Sequence, residues 1–202
     1  MQFETFAPLT QLDFVAHAFT LRTSEDTGAD EFEQRVLKSL GFTSFTSAEQ
    51  PHGCEAAVVE APAATRVRGV DALVTRTRNL PLVIRCADCA AVFVVDHYTP
   101  AIALIHSGKK GTLGNVVGKT LLRMQMEFDT HPRDYLAFIS PSIGPCHYEF
   151  DIWSGIEQQF RDAGVTDIYN PRVCTACHLD RYFSYRAEKG NTGRMLALLS
   201  LR

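Results

Sequence analysis

The sequence predicts an α+β fold, a layered domain of mixed β-sheets with flanking helices, and three observations predict it. Between residues 72 and 106, four short apolar runs follow one another, bounded by turn-forming residues such as Asn79 and Asp96, as buried strands are. Two later stretches, 111–124 and 152–163, place apolar side chains at helical spacing and predict helices with one face packed on a sheet. No internal repeat, low-complexity tract or linker interrupts them, so residues 1–202 read as one domain.

Each element has its own local reason. Residues 14–21, Phe-Val-Ala-His-Ala-Phe-Thr-Leu, form a strand that leaves Arg22 at its exit and a polar turn over 23–29. Asp30 is placed to cap a helix in which Phe32, Val36, Leu37 and Leu40 share a face, and Gly41 stops it. The stretch 43–68 carries Pro51, Pro62 and many alanines, which leaves an irregular segment with an edge strand over 55–60. Buried strands are expected at 72–75, 80–85, 90–95 and 101–106. Gly111 and Gly114 then open a helix with Leu113, Val116, Val117, Thr120, Leu121 and Met124 directed inward. A strand at 135–140 precedes a helix at 152–163 that presents Ile152, Trp153, Ile156 and Phe160 and ends at Gly164. The apolar tail, 195–201, fits a strand that closes a sheet.

Composition narrows the function. A formal charge of -3 offers no general attraction to a phosphate backbone or an anionic bilayer, which points to a small-molecule ligand rather than nucleic acid or membrane. The first residues lack a basic region followed by an apolar core, and no eighteen-residue apolar run exists, so a cytoplasmic location is expected. In a reducing compartment the six cysteines, Cys54, Cys86, Cys89, Cys146, Cys174 and Cys177, are free to act as small core residues, ligands or nucleophiles.

Two CxxC pairs, Cys86/Cys89 and Cys174/Cys177, have the local spacing of a four-thiolate zinc site, but a sheet and two helices separate them. A redox CxxC normally opens a helix, whereas Cys89 leads into Ala-Ala-Val-Phe-Val-Val. Cys89 and His106 stand at the ends of successive strands, and His52 lies in a loop able to fold over them. One thiol and two imidazoles leave a fourth coordination position for water, whose pKa falls toward ~7 on catalytic zinc. By spacing alone, His106 is equally a satisfied histidine and His52 a surface residue. Gly108-Lys109-Lys110-Gly111-Thr112 precedes a helix and suits an anion, yet it is no Walker sequence.

A longer series of motifs carries a family resemblance: His17 to Arg22, Gln50-Pro-His-Gly53, Asp71-Ala-Leu-Val-Thr, Ala87-Asp88-Cys89, His106-Ser-Gly-x-Lys110-Gly-Thr, Ile143-Gly-Pro-Cys-His-Tyr-Glu149, Cys174-Thr-x-Cys177, and Phe183-Ser-Tyr-Arg186 through Met195. In this order they resemble the laccase-domain family, named for multicopper polyphenol oxidase and also described as purine nucleoside phosphorylase. The resemblance implies a fold similar to the Cys/His toxin deamidases and a zinc site of His52, Cys89 and His106. Cys86 and Cys174 then become core or supporting thiols. Three departures stand out. Lys109-Lys110 replaces the family's Trp-Arg, keeping charge at Lys110 without the planar fork. His147 replaces a cysteine, and Pro51 replaces a valine before the ligand histidine. The amino-terminal third is also shortened, so that part of the substrate pocket is either missing or supplied by another subunit of a homo-oligomer.

The activity so implied is zinc-dependent phosphorolysis of adenosine, inosine or methylthioadenosine, with adenosine deamination beside it. Cys89, His106 and Lys110 are the expected catalytic residues, and Arg22, Lys110 and Arg186 the expected phosphate or substrate contacts. Copper-dependent phenol oxidation is the alternative from the older name, since Cu(II) ranks above Zn(II) in intrinsic affinity for such ligands. Against it, the chain has seven histidines, and His17, His97, His131 and His178 show no pairing pattern for further coppers. A metal-free Cys-His hydrolase and a diverged, non-catalytic binding domain complete the alternatives.

Overall fold

The computed structural model describes residues 2–23 and 29–202. Along the chain run β1 (Phe3–Glu4), α1 (Ala7–Thr10), β2 (Val15–Thr20), α2 (Ala29–Ser39), β3 (Thr46–Ser47), β4 (Ala56–Val58), β5 (Ala72–Thr75), β6 (Leu82–Cys86), β7 (Ala90–Asp96) and β8 (Ile102–Ser107). They are followed by α3 (Lys109–Leu113), α4 (Val116–Phe128), β9 (Tyr135–Ile139), α5 (Ile152–Asp162), β10 (Asp167–Tyr169) and β11 (Met195–Leu201), with short 3₁₀ turns at Pro132–Asp134 and Thr175–Cys177. The strands form two sheets, ordered β1-β2-β11-β6-β3 and β10-β9-β7-β8-β5-β4, each mixing parallel and antiparallel pairs.

Side-chain alternation builds the layers. Phe93 and Val95 of β7 point into the same cluster as Leu82 and Ile84 of β6 and Ala197 and Leu199 of β11, so the sheets face one another across this core. Val92 and Val94 point the other way, onto Val117, Leu121 and Met124 of α4 and Ile156 and Phe160 of α5. On the outer face of the first sheet, Val83, Leu196 and Leu198 meet Phe32, Val36 and Leu37 of α2. The result is helix, sheet, sheet, helix, which is the expected α+β architecture.

Most expected elements occur within two residues of their places, and the differences have causes. The tail strand β11 lies inside the first sheet, paired on both sides by β2 and β6. The helix expected to run on from Gly111 is broken, because Asn115 takes a left-handed conformation (φ 60°) between α3 and α4. This turn rotates Leu113 out of the core, leaving it 67% exposed instead of inward. Helix α2 starts at Ala29, ahead of the cap expected at Asp30. The expected turn over 23–29 falls largely outside the described residues. Very short strands such as β1, β3 and β10 have too few residues to give a sequence period.

Candidate metal centre and active site

The connection from β6 to β7 carries the chain from one sheet to the other, and Cys89 is its last residue. Making this crossing in three residues forces Asp88 into a positive φ of 84°. Three bonds hold it there. The Asp88 carbonyl accepts from Ile143 N (2.8 Å), Oδ1 accepts from Thr175 Oγ1 (2.7 Å), and Oδ2 accepts from Arg186 N (2.6 Å). Two residues beyond Cys89, Ala91 pairs with His106 across β7 and β8, which brings thiol and imidazole to the same sheet end.

His52 arrives from the irregular segment. Gln50 and His52 both have positive φ (66° and 64°), so this loop needs external support. Gln50 supplies part of it by using its side-chain amide as an extra strand residue: Nε2 donates to Arg85 O (2.7 Å) and Oε1 accepts from Arg85 N (3.0 Å). Asp71 supplies the rest. Its carboxylate accepts from His52 N (3.0 Å) and Gly53 N (2.6 Å), while Oδ1 lies 2.8 Å from His106 Nδ1. With Nδ1 held by Asp71, Nε2 of His106 is the ring nitrogen left to face the cluster, an arrangement common behind metal-bound histidines.

The ligand atoms of His52, Cys89 and His106 all lie within 4.8 Å of one another, and the two imidazole rings meet edge to face at 4.9 Å between centroids. His106 is buried, Cys89 half-buried and His52 exposed. Burial opposes a charged Cys89, but hydrogen bonds from His106 and His52 outweigh it and bring the thiol down from 9.0 to about 6. Burial likewise opposes a charged His106, yet bonding to Asp71 and Cys89 lifts it from 6.5 to about 9. In Asp71, the hydrogen bonds from His106 and Gly53 overcome burial and lower its pKa. One soft thiolate and two imidazoles, one of them backed by a carboxylate, fit zinc and leave a side open for a further ligand.

That side is a cavity of about 860 Å³, lined by the three residues and by Lys109, Lys110, Ile143, Tyr148, Ile152, Tyr185 and Arg186. Lys110 and Arg186 thus both line this cavity. Glu149 lies between the cations, with Lys109 Nζ at 3.1 Å and Arg186 at 3.3 Å. Among the described residues Lys110 has no carboxylate partner within ion-pair distance. Arg22 is placed differently. It is absent from this lining, its guanidinium lies 2.6 Å from Glu188 and over the Phe183 ring, and it also donates to Tyr182 O. Arg22, expected as a phosphate or substrate contact, is thus not brought together with Lys110 and Arg186 and instead fastens the 182–188 segment beside β2.

The two CxxC pairs separate. Cys86 is buried in the core between the sheets, as expected, whereas Cys174 and Cys177 group with Cys146 and His147. Cys174 is therefore one of a second cluster and not merely a core thiol. Sequence reasoning singled out neither Asp71 as a buried support nor this cluster as a unit.

Comparison with known proteins identifies relatives in sequence and in fold. A family model described as "Multi-copper polyphenol oxidoreductase laccase" matches residues 22–151 and 147–202. A purine nucleoside phosphorylase of Bacteroides thetaiotaomicron is 34% identical over 163 residues, covering 65% of this chain and 60% of the relative. One from Streptomyces coelicolor, SCO2081, is 32% identical over 202 residues, covering 85% and 82%. The chain spans 60–62% of the length of the Bacteroides relative and of YlmD, a purine nucleoside phosphorylase from Geobacillus stearothermophilus. The crystal structure of YlmD superposes with a TM-score of 0.90 at 24% identity, covering 98% of this chain and 94% of that one. The hypothetical protein YfiH of Bacillus licheniformis gives 0.89 at 21% identity, covering 99% of both chains. With the family model matched over almost the whole of the described fold, the chain belongs to the multi-copper polyphenol oxidoreductase laccase family.

Proposed function

We propose that this protein is a zinc-dependent purine nucleoside phosphorylase acting on adenosine, inosine and methylthioadenosine, with adenosine deamination as a side activity. The observation that carries the reading is the meeting of His52, Cys89 and His106 at the floor of a cavity whose walls hold both cations and aromatic rings. A nucleoside and phosphate need both kinds of surface. Relatives named purine nucleoside phosphorylase support the same class of reaction.

In this reading Lys110 takes the phosphate as an exposed cation at the start of α3, and Arg186, which lines the same cavity, assists. Glu149 limits that charge by pairing with Lys109 and Arg186, so the anion is drawn toward Lys110. Tyr148, half-buried under the Arg186 guanidinium at 4.6 Å, offers an apolar face to the purine. A phosphate oxygen forms the new bond to ribose C1′, the C1′–N9 bond breaks, and the purine leaves with the electron pair and gains a proton. When bound, zinc supplies Lewis acidity toward an oxygen of substrate or water. His106 keeps its ring fixed throughout, because Asp71 holds Nδ1.

Metal-free Cys-His chemistry has one observation in its favour, the thiol of Cys89 brought down to about 6 by its two histidines. Metal dependence separates the readings. Protein stripped by chelation and reloaded with zinc or with copper is assayed on each nucleoside with phosphate and on a phenol with oxygen. The phosphorylase reading expects base release restored by zinc. Full activity without metal favours the Cys-His hydrolase, and oxygen consumption confined to the copper form favours the oxidase.

A further inference from the structure

The second cluster lies outside the candidate active site and is built differently. Cys146 and His147 sit in the turn after β9, and Cys174 and Cys177 at either end of the Thr175–Cys177 turn, so two adjacent-ligand segments face each other. An isolated strand bridge, Ser142 to Cys174, brings the segments together. His147 Nδ1 lies 3.3 Å from Cys146 Sγ, 3.4 Å from Cys177 Sγ and 3.7 Å from Cys174 Sγ, and the Cys146 and Cys177 sulfurs are 3.6 Å apart. All four ligand atoms fall within 4.8 Å of one another.

These distances carry the argument. Bonds of about 2.3 Å to sulfur and about 2.0–2.1 Å to nitrogen, set tetrahedrally, place neighbouring ligand atoms roughly 3.5–3.8 Å apart. A disulfide would need sulfurs about 2.05 Å apart. Three thiols and an imidazole around one point are also a complete structural zinc set, with no position left for substrate. Cys174 Sγ further accepts from Gly144 N at 3.3 Å, the kind of supporting bond that favours a thiolate.

We infer that Cys146, His147, Cys174 and Cys177 bind a second zinc ion, a closed structural site that fastens the wall of the candidate active site. The role follows from what the two segments hold. Ile143, from the first, and Thr175, from the second, both bond Asp88, the strained residue immediately before Cys89. Tyr148, next to His147, lines the cavity. A metal joining residues 146–147 to 174–177 therefore fixes Asp88 from both sides.

Zinc content measured per chain tests this, independently of any nucleoside activity. Purified protein is expected to hold two zinc ions, and Cys89→Ala one. X-ray absorption at the zinc edge of Cys89→Ala should then give a shell of about three sulfurs and one nitrogen. Cys146→Ser combined with Cys177→Ser, both exposed positions, should remove this ion from the Cys89→Ala protein. His147→Cys should retain it with four sulfurs, which guards against reading misfolding as ligand loss. A Cys89→Ala protein without zinc, a zinc shell poor in sulfur, or a Cys146–Cys177 disulfide in freshly purified protein would overturn the inference. Retention of both ions in Cys89→Ala would instead contradict the catalytic site while leaving this one standing.

Discussion

Asp71 Oδ1 stands 2.8 Å from His106 Nδ1, while the same carboxylate receives the backbone N–H groups of His52 and Gly53. One fully buried side chain thus orients an imidazole on a strand and closes the loop that brings the other imidazole to it. Asp71→Asn is nearly isosteric, yet it can present only one acceptor oxygen and loses the charge. Zinc affinity at the His52, Cys89 and His106 site should fall about 10–100-fold, the usual effect of removing a supporting carboxylate. Competition with a chromophoric chelator measures it. An unchanged affinity would mean that the His52 loop is held by other contacts.

Gly108 tests the closeness of packing around the thiol. A Cβ added there would lie 2.5 Å from Cys89 Sγ, although the backbone conformation (φ -104°, ψ -174°) suits alanine. Gly108→Ala should therefore fold while displacing the sulfur, and its zinc content should fall by about one ion per chain. Normal zinc content together with a normal melting temperature would show that the sulfur has room to move.

Lys110→Ala should raise the phosphate KM for nucleoside cleavage roughly tenfold with zinc still bound, because a charge-assisted contact is lost and no ligand is. Lys110→Arg should preserve or improve phosphate use through its planar fork. Inosine formation from adenosine, which needs no phosphate, should change much less in both. Equal loss of the two activities in Lys110→Ala would assign the lysine to general support of the site.

The positions of Cys89 and His106 were legible because each borders an apolar run whose period marks a buried strand. His52 was not. Its loop has no period, and its place depends on two long-range anchors: Gln50, in the same loop, bonds the Arg85 backbone, and Asp71 receives the His52 N–H. Asp71 itself, at the head of an apolar run, reads as an ordinary strand boundary until His106 is seen beside it. The second cluster escaped for a related reason. Its cysteines look like an isolated CxxC pair, and only the pairing of Ser142 with Cys174 brings Cys146 and His147 within reach. The partner of Arg22 was not legible either, since a cation at a strand exit has the same sequence signal whether it meets a substrate or Glu188.

His17 gives the fold a specific acid sensitivity. Its Nε2 accepts the Phe6 N–H at 2.8 Å, and burial, aided by Arg202, lowers its pKa from 6.5 to about 4. Above pH 6.5 the ring is neutral in folded and unfolded chains alike and contributes no slope. As pH falls from 6.5 toward 4, the unfolded chain takes up a proton that the folded one refuses, so stability declines by on the order of 3 kcal/mol. Urea unfolding across this range should show the decline, and His17→Gln, which can accept the same bond without titrating, should flatten it. An identical pH profile in the variant would assign the acid sensitivity to other groups.

The most direct test of the proposed active site is the phosphate dependence of adenine release from adenosine by zinc-loaded protein, measured beside Cys89→Ala. The account predicts that adenine and ribose 1-phosphate form in equal amounts only when phosphate is present, and that Cys89→Ala forms neither. Adenine release that is indifferent to phosphate, or a Cys89→Ala protein as active as the original, would contradict it.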